Sequence, residues 1–162
     1  MKGVVFNLLE SVVTAKYGAD TWDSLLDAAN ASGVYTSLGN YDDAEMEALA
    51  AAAAQALGLQ RADVLRWFGR SAIPVLAELY PDFFTPHSSA RPFVSGVNDI
   101  IHAEVRKLYA GAACPHFGIH EASDGAITMR YRSTRKMCAL AQGFIEGAAD
   151  WYCETVEVEH TS

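Results

Sequence analysis

Apolar residues recur at three- and four-residue spacings through the first two thirds of the chain and give way to alternation after it. Over 2–17, Val5, Leu8, Leu9, Val12 and Val13 share one helical face, and Gly18 closes the run. Asp20 is expected to cap a second helix with Trp22, Leu25 and Leu26 on its apolar side. Ser32-Gly33 then breaks the chain before a short extended piece, Val34-Tyr35-Thr36. Asp42-Asp43-Ala44-Glu45 has the spacing of a capping box and opens an alanine-rich helix that runs through Leu57. A further helix covers 61–79, with Val64, Leu65, Trp67 and Phe68 apolar; Pro74 lacks an amide donor, crowds the preceding turn and predicts a kink or a split. The stretch 81–92 reads as a loop anchored by Phe83 and Phe84. Pro92 suits a first helical turn, and the helix from there to Tyr109 carries Phe93, Val97, Ile101, Val105 and Leu108 in one stripe.

Alternation takes over past a loop at 111–118. Ser123-Asp124-Gly125 is a turn signal inside a hairpin over about 117–132, a last helix is expected at about 135–151, and 152–160 alternates like a half-exposed strand. Helices first and a hairpin later give an α+β class, a helical N-terminal part and a C-terminal antiparallel sheet with helices. At 162 residues the length fits one domain, 1–162, with a sizeable core.

Composition narrows the function classes. Hydrophobic residues are 51% and charged residues 20%, a globular balance. A net charge of −8 argues against a nucleic-acid surface, which needs clustered Lys and Arg. No apolar run reaches membrane-span length, and the N-terminus lacks a signal-peptide pattern. Three cysteines, Cys114, Cys138 and Cys153, are an odd number with no close metal-binding pair, which fits a reducing, cytoplasmic setting.

The chemistry concentrates in Met129-Arg130-Tyr131-Arg132-Ser133-Thr134-Arg135-Lys136. On a strand, alternate residues share a face, so Tyr131, Ser133 and Arg135 present a phenol, a hydroxyl and a guanidinium together. Three such donors suit a carboxylate or phosphate. Ser133 as the N-cap of the next helix and Arg135 as a solvated side chain account for the same residues. His102 lies at the border of its helix's apolar stripe, one turn from Asn98, Asp99, Val105 and Arg106; a lone helical histidine is more often structural than ligating. His116 and His120, in or beside a loop, are rival ligands. Cys114-Pro115 precedes them, and Cys114 with His116 or His120 would also serve as nucleophile and base of a thiol enzyme.

The spacing Tyr131-x-Ser133-x-Arg135 resembles the signature of the heme-nitric oxide/oxygen binding, or H-NOX, family. So do the opening Met1-Lys2-Gly3-Val4-Val5-Phe6, His102 in a helical stretch upstream of the motif, Pro115, and Phe144-Ile145-Glu146-Gly147-Ala148-Ala149. The resemblance runs from Met1 to about His160 and implies heme b buried between the helical part and the sheet. It implies His102 as the iron ligand, Tyr131, Ser133 and Arg135 on the heme propionates, and Pro115 against the ring. Oxygen-binding members carry a tyrosine at the position of Leu140, supported by a tryptophan at the position of Leu9; here Val5, Leu9, Leu140 and Phe144 leave the gas side apolar. The implied function is a sensor that binds NO and CO at ferrous heme, discriminates against O2, and signals by release of the iron–His102 bond. An O2 carrier or sensor on the same heme is the alternative. Implied partners are a histidine kinase or a cyclic-di-GMP enzyme, with the protein a monomer or weak dimer. Family members usually add one more strand after the tail. Cys138 and His160 match only half of a zinc pattern found in some members, and no metal is assigned to them.

Overall fold

In the computed structural model, which describes residues 1–161, the first four helices form as the apolar spacing predicts: α1 (Gly3–Tyr17), α2 (Ala19–Ala29), α3 (Asp43–Leu57) and α4 (Arg61–Leu79). Their buried faces meet in a core centred on Phe6, Met46, Leu49, Leu65 and Phe68, each at most 1% exposed. Asp42 caps α3 by accepting from the Ala44 amide at 3.0 Å. The other half of the box is open, because Glu45 accepts instead from the Tyr35 hydroxyl at 2.6 Å. Asp20 does not cap α2. Gly18 holds that position, and Asp20 stands in the first turn, where its charge still suits the positive helix end. Val34 to Thr36 pair with no strand; the pairing nearby is an isolated Lys2–Asn40 bridge. Pro74 does not split α4. Burial of the helix around it outweighs local propensity there, with Ala72, Ile73 and Ala77 at 0%, 2% and 5% exposure.

The second half departs further from the pattern. The stretch read as a loop holds α5 (Pro81–Phe84) and the start of α6 (Ala90–Ser95). The long helix expected up to Tyr109 is three pieces: α6, a π-turn at Val97–Ile101, and α7 (His102–Leu108). A hairpin follows, β1 (His116–Glu121) antiparallel to β2 (Ile127–Arg132), with Phe117 opposite Tyr131 and Gly125 supplying a φ of 96° at the turn. The sheet has these two strands among the described residues. The expected strand at 152–160 does not form. That tail is held by side chains rather than a backbone ladder: Glu154 accepts from the Ala90 amide at 3.0 Å, and His160 pairs with Gln142 at 2.8 Å.

The last helix, α8 (Cys138–Trp151), starts later than 135 because a turn at Ser133–Arg135 and a left-handed Lys136, φ 52°, intervene. α8 lies tightly along α4. A Cβ at Gly143 would overlap the Arg66 carbonyl, and one at Gly69 would overlap the Leu140 carbonyl, so the two backbones touch. Arg66 grips Glu146 at 2.7 Å, and Arg70 holds Asp150 at 2.5 and 2.9 Å, one turn further on. Burial alone would raise the Glu146 carboxyl; hydrogen bonds from Arg66 and Gln142 outweigh it and hold the group below its usual range.

Candidate functional site

A cavity of about 370 Å³ opens where these elements meet, within the range of small-molecule sites. Val5 of α1, Ile73 and Leu76 of α4, and Leu140 and Phe144 of α8 line it, together with Phe93, Val97, Ile101 and Val105 from α6 to α7 and Phe117, Met129 and Tyr131 from the hairpin. His102, Pro115 and Arg135 reach the same space. Two expected residues do not. Leu9 is buried beside Val13, Met46 and Leu65, against a separate void of about 20 Å³, because its position on α1 points it into the helical core. Ser133 is half-buried and is not part of the cavity wall.

His102 is the first residue of α7. Its ring stacks on Phe117, centroids 5.8 Å apart and planes 25° off parallel. Its Nδ1 is buried and has no hydrogen-bond partner. Burial, reinforced by the Arg106 charge and opposed by the Pro115 carbonyl, lowers its pKa to about 4, so the imidazole is neutral at pH 7. An orphaned buried polar atom costs about 1–3 kcal/mol, and a neutral ring nitrogen without a partner is suited to a metal.

Burial alternates through the predicted donor row: Tyr131, Ser133 and Arg135 are half-buried, and Arg132, Thr134 and Lys136 are exposed. Pairing with β1 ends at Arg132, and the rest of the row belongs to the turn. The Ser133 hydroxyl accepts from the Arg135 amide at 3.2 Å, so it shapes this turn and caps no helix. The Tyr131 hydroxyl accepts from the Met137 amide at 3.4 Å, an interaction that does not use its O–H as a donor. Arg135 is 15% exposed; its Nε donates to Asp43 at 2.9 Å and an end nitrogen to the Ala113 carbonyl. Burial would raise Asp43, but hydrogen bonds from the Met1 ammonium and Arg135 hold it below its usual range. Of the five N–H donors of a guanidinium, those not spent on Asp43 and Ala113 are free for an anionic group.

The chain matches the family described as haem-NO-binding over residues 2–160. It belongs to the haem-NO-binding (H-NOX) family. None of the curated proteins matches it by sequence. Among solved structures, an H-NOX protein from S. oneidensis in the Fe(II)NO ligation state is similar at 32% identity and TM-score 0.93, over 100% of this chain and 91% of that one. An H-NOX domain from Shewanella oneidensis in the Fe(II)CO ligation state gives 32% and 0.90, over 100% and 90%. An unliganded Fe(II) H-NOX protein from K. algicida gives 26% and 0.84, over 94% and 84%.

The H-NOX family binds heme, and the residues present fit it. The cavity wall is apolar, His102 brings a neutral imidazole to it, and Arg135 with Tyr131 supplies donors for carboxylates. Burial pushes the Cys114 thiol up, although Arg106 and Arg135 pull the other way; a nucleophilic thiol needs a shift in the opposite direction. His116 is exposed, and no cluster of three or more His, Cys, Asp or Glu that could hold a metal ion exists among the described residues. No helix among them is long and apolar enough to cross a membrane. Four contributing residues escaped the sequence reading. Tyr80 and Tyr109 line the cavity with their hydroxyls 2.6 Å apart, burial pushing Tyr80 up to about 12. Asp43, read as part of a cap, anchors Arg135. Asn98, seen only as a neighbour of His102, bonds to β1.

Proposed function

We propose that this H-NOX protein is a cytoplasmic sensor of nitric oxide, with 1–162 acting as one heme-binding unit. The observation that carries the reading is His102, a neutral imidazole in the wall of an apolar cavity whose wall also holds Arg135 and Tyr131. Bound ferrous heme b supplies the iron site at which NO or CO binds. His102 holds the iron from α7, and its neutral ring needs no proton loss to do so. Arg135 and Tyr131 hold the propionates, Ser133 fixes the turn that aims Arg135, and Pro115 presses on the ring. Val5, Leu140 and Phe144 close the gas side with no hydrogen-bond donor. Bound O2 takes on negative charge and gains from a donor, whereas NO and CO do not need one, so this wall favours NO.

Signalling follows from release of His102. A gas shifts the balance between two states only by its different affinity for them. Here that difference would lie in the hold of His102 on the bound group. The partner reading is a histidine kinase or a cyclic-di-GMP enzyme that senses the freed α7 surface. The absorption spectrum of the purified protein tests the reading: a Soret band that His102→Ala removes, and that added imidazole restores, supports it. A heme-free protein, or an unchanged ferrous spectrum in His102→Ala, overturns it, and His116→Ala would be tested next.

A further inference from the structure

The aim of His102 depends on the backbone that carries it. The His102 amide donates to the Val97 carbonyl, five residues back rather than four. Such a π-turn inserts one residue into the helical register, and closing it to a regular helix would turn everything beyond by about 100°. The His102 ring would leave Phe117 and the cavity. Asn98 lies inside the π-turn, one turn before His102. Its Nδ2 donates to the Phe117 carbonyl at 2.5 Å, and its Oδ1 accepts from the Phe117 amide at 3.1 Å. The side-chain amide thus makes the pair of bonds that a neighbouring strand would make on the edge of β1 facing away from β2. Phe117 in turn stacks on His102. Asn98, Phe117 and His102 form a closed ring of contacts in which each fixes the next.

We propose that Asn98 is a positioning residue for His102: its two-way bond to the Phe117 backbone holds the π-turn open and sets the angle at which the imidazole meets iron. The inference rests on the heme reading given above. It also gives the release of His102 a route outward, because the π-turn that carries α7 is bonded to β1 through Asn98.

The test uses the heme-loaded ferrous protein without gas. Resonance Raman reads the iron–histidine stretching band, and hydrogen exchange reads the Phe117 amide. Asn98→Leu, close in size but apolar, is expected to keep heme, to shift and broaden the band, and to lose protection at Phe117. Asn98→Gln keeps the amide and is expected to hold the band nearer its original place. A merely structural role would change exchange and leave the band alone. An unaltered band in heme-loaded Asn98→Leu overturns the assignment, as does a shift that Asn98→Gln shares in full. Should Asn98→Leu fail to fold, Asn98→Asp keeps the acceptor, replaces the donor with a charged oxygen and carries the same comparison. Failure of the heme reading would appear separately, as the lack of any iron–histidine band in the unaltered protein.

Discussion

Arg135 was legible as an anion-binding candidate from residue type and spacing alone, but the group that aims it was not. Asp43 lies 92 positions away and carries a local explanation as part of a helix cap. Asn98, Tyr80 and Tyr109 were hidden for the same reason: an amide bonding to a distant backbone, or two phenols meeting across 29 residues, leaves no periodic trace. Leu9, expected on the gas side from the resemblance, lies instead against the smaller void in the helical core. At this scale the clamp is testable. A charge-assisted hydrogen bond contributes about 1.5–3 kcal/mol, so Arg135→Ala should speed heme loss to an apo-acceptor by about one to two decades. Transfer at the unaltered rate would exclude Arg135 from the clamp.

Elements with a strong helical period were read correctly because a repeating apolar face is itself the signal. The π-turn broke the expected helix at 92–109 without disturbing that face, since Val97, Ile101 and Val105 all still reach the cavity. The tail failed as a strand because alternation describes a side-chain pattern and says nothing of whether a partner edge is available. Close contact of α4 and α8 gives two predictions. Gly143→Ala forces a methyl into the Arg66 carbonyl and should cost about 1–3 kcal/mol by denaturant unfolding, unless the helices separate. Glu146 is held below its unfolded value, so its contribution is complete above the ordinary carboxylate range, about 4.3, and is lost as pH falls through the lower folded value. Glu146→Gln should therefore be less stable at neutral pH and lose less stability on acidification, as read by thermal unfolding across that range.

For the molecule as a whole, the α+β class followed from the order of helices and hairpin, while the cavity at their junction could only be inferred by resemblance. Its wall joins α1, α4 and α8 to the His102 segment, so the proposed ligand choice and helix release would share one space. Gas choice is read from the absorption spectrum of the ferrous protein in air, under CO and under NO. Leu140 offers no donor where oxygen-binding relatives carry tyrosine, and a neutral hydrogen bond contributes about 0.5–1.5 kcal/mol, more in a dry pocket, which places O2 affinity about a decade or more below theirs. The account predicts a five-coordinate ferrous spectrum that persists in air over short times, a six-coordinate CO complex, and a five-coordinate NO complex with His102 released. A stable oxy spectrum from the unaltered protein would contradict it and would point to the Tyr80–Tyr109 pair as the donor in the cavity wall.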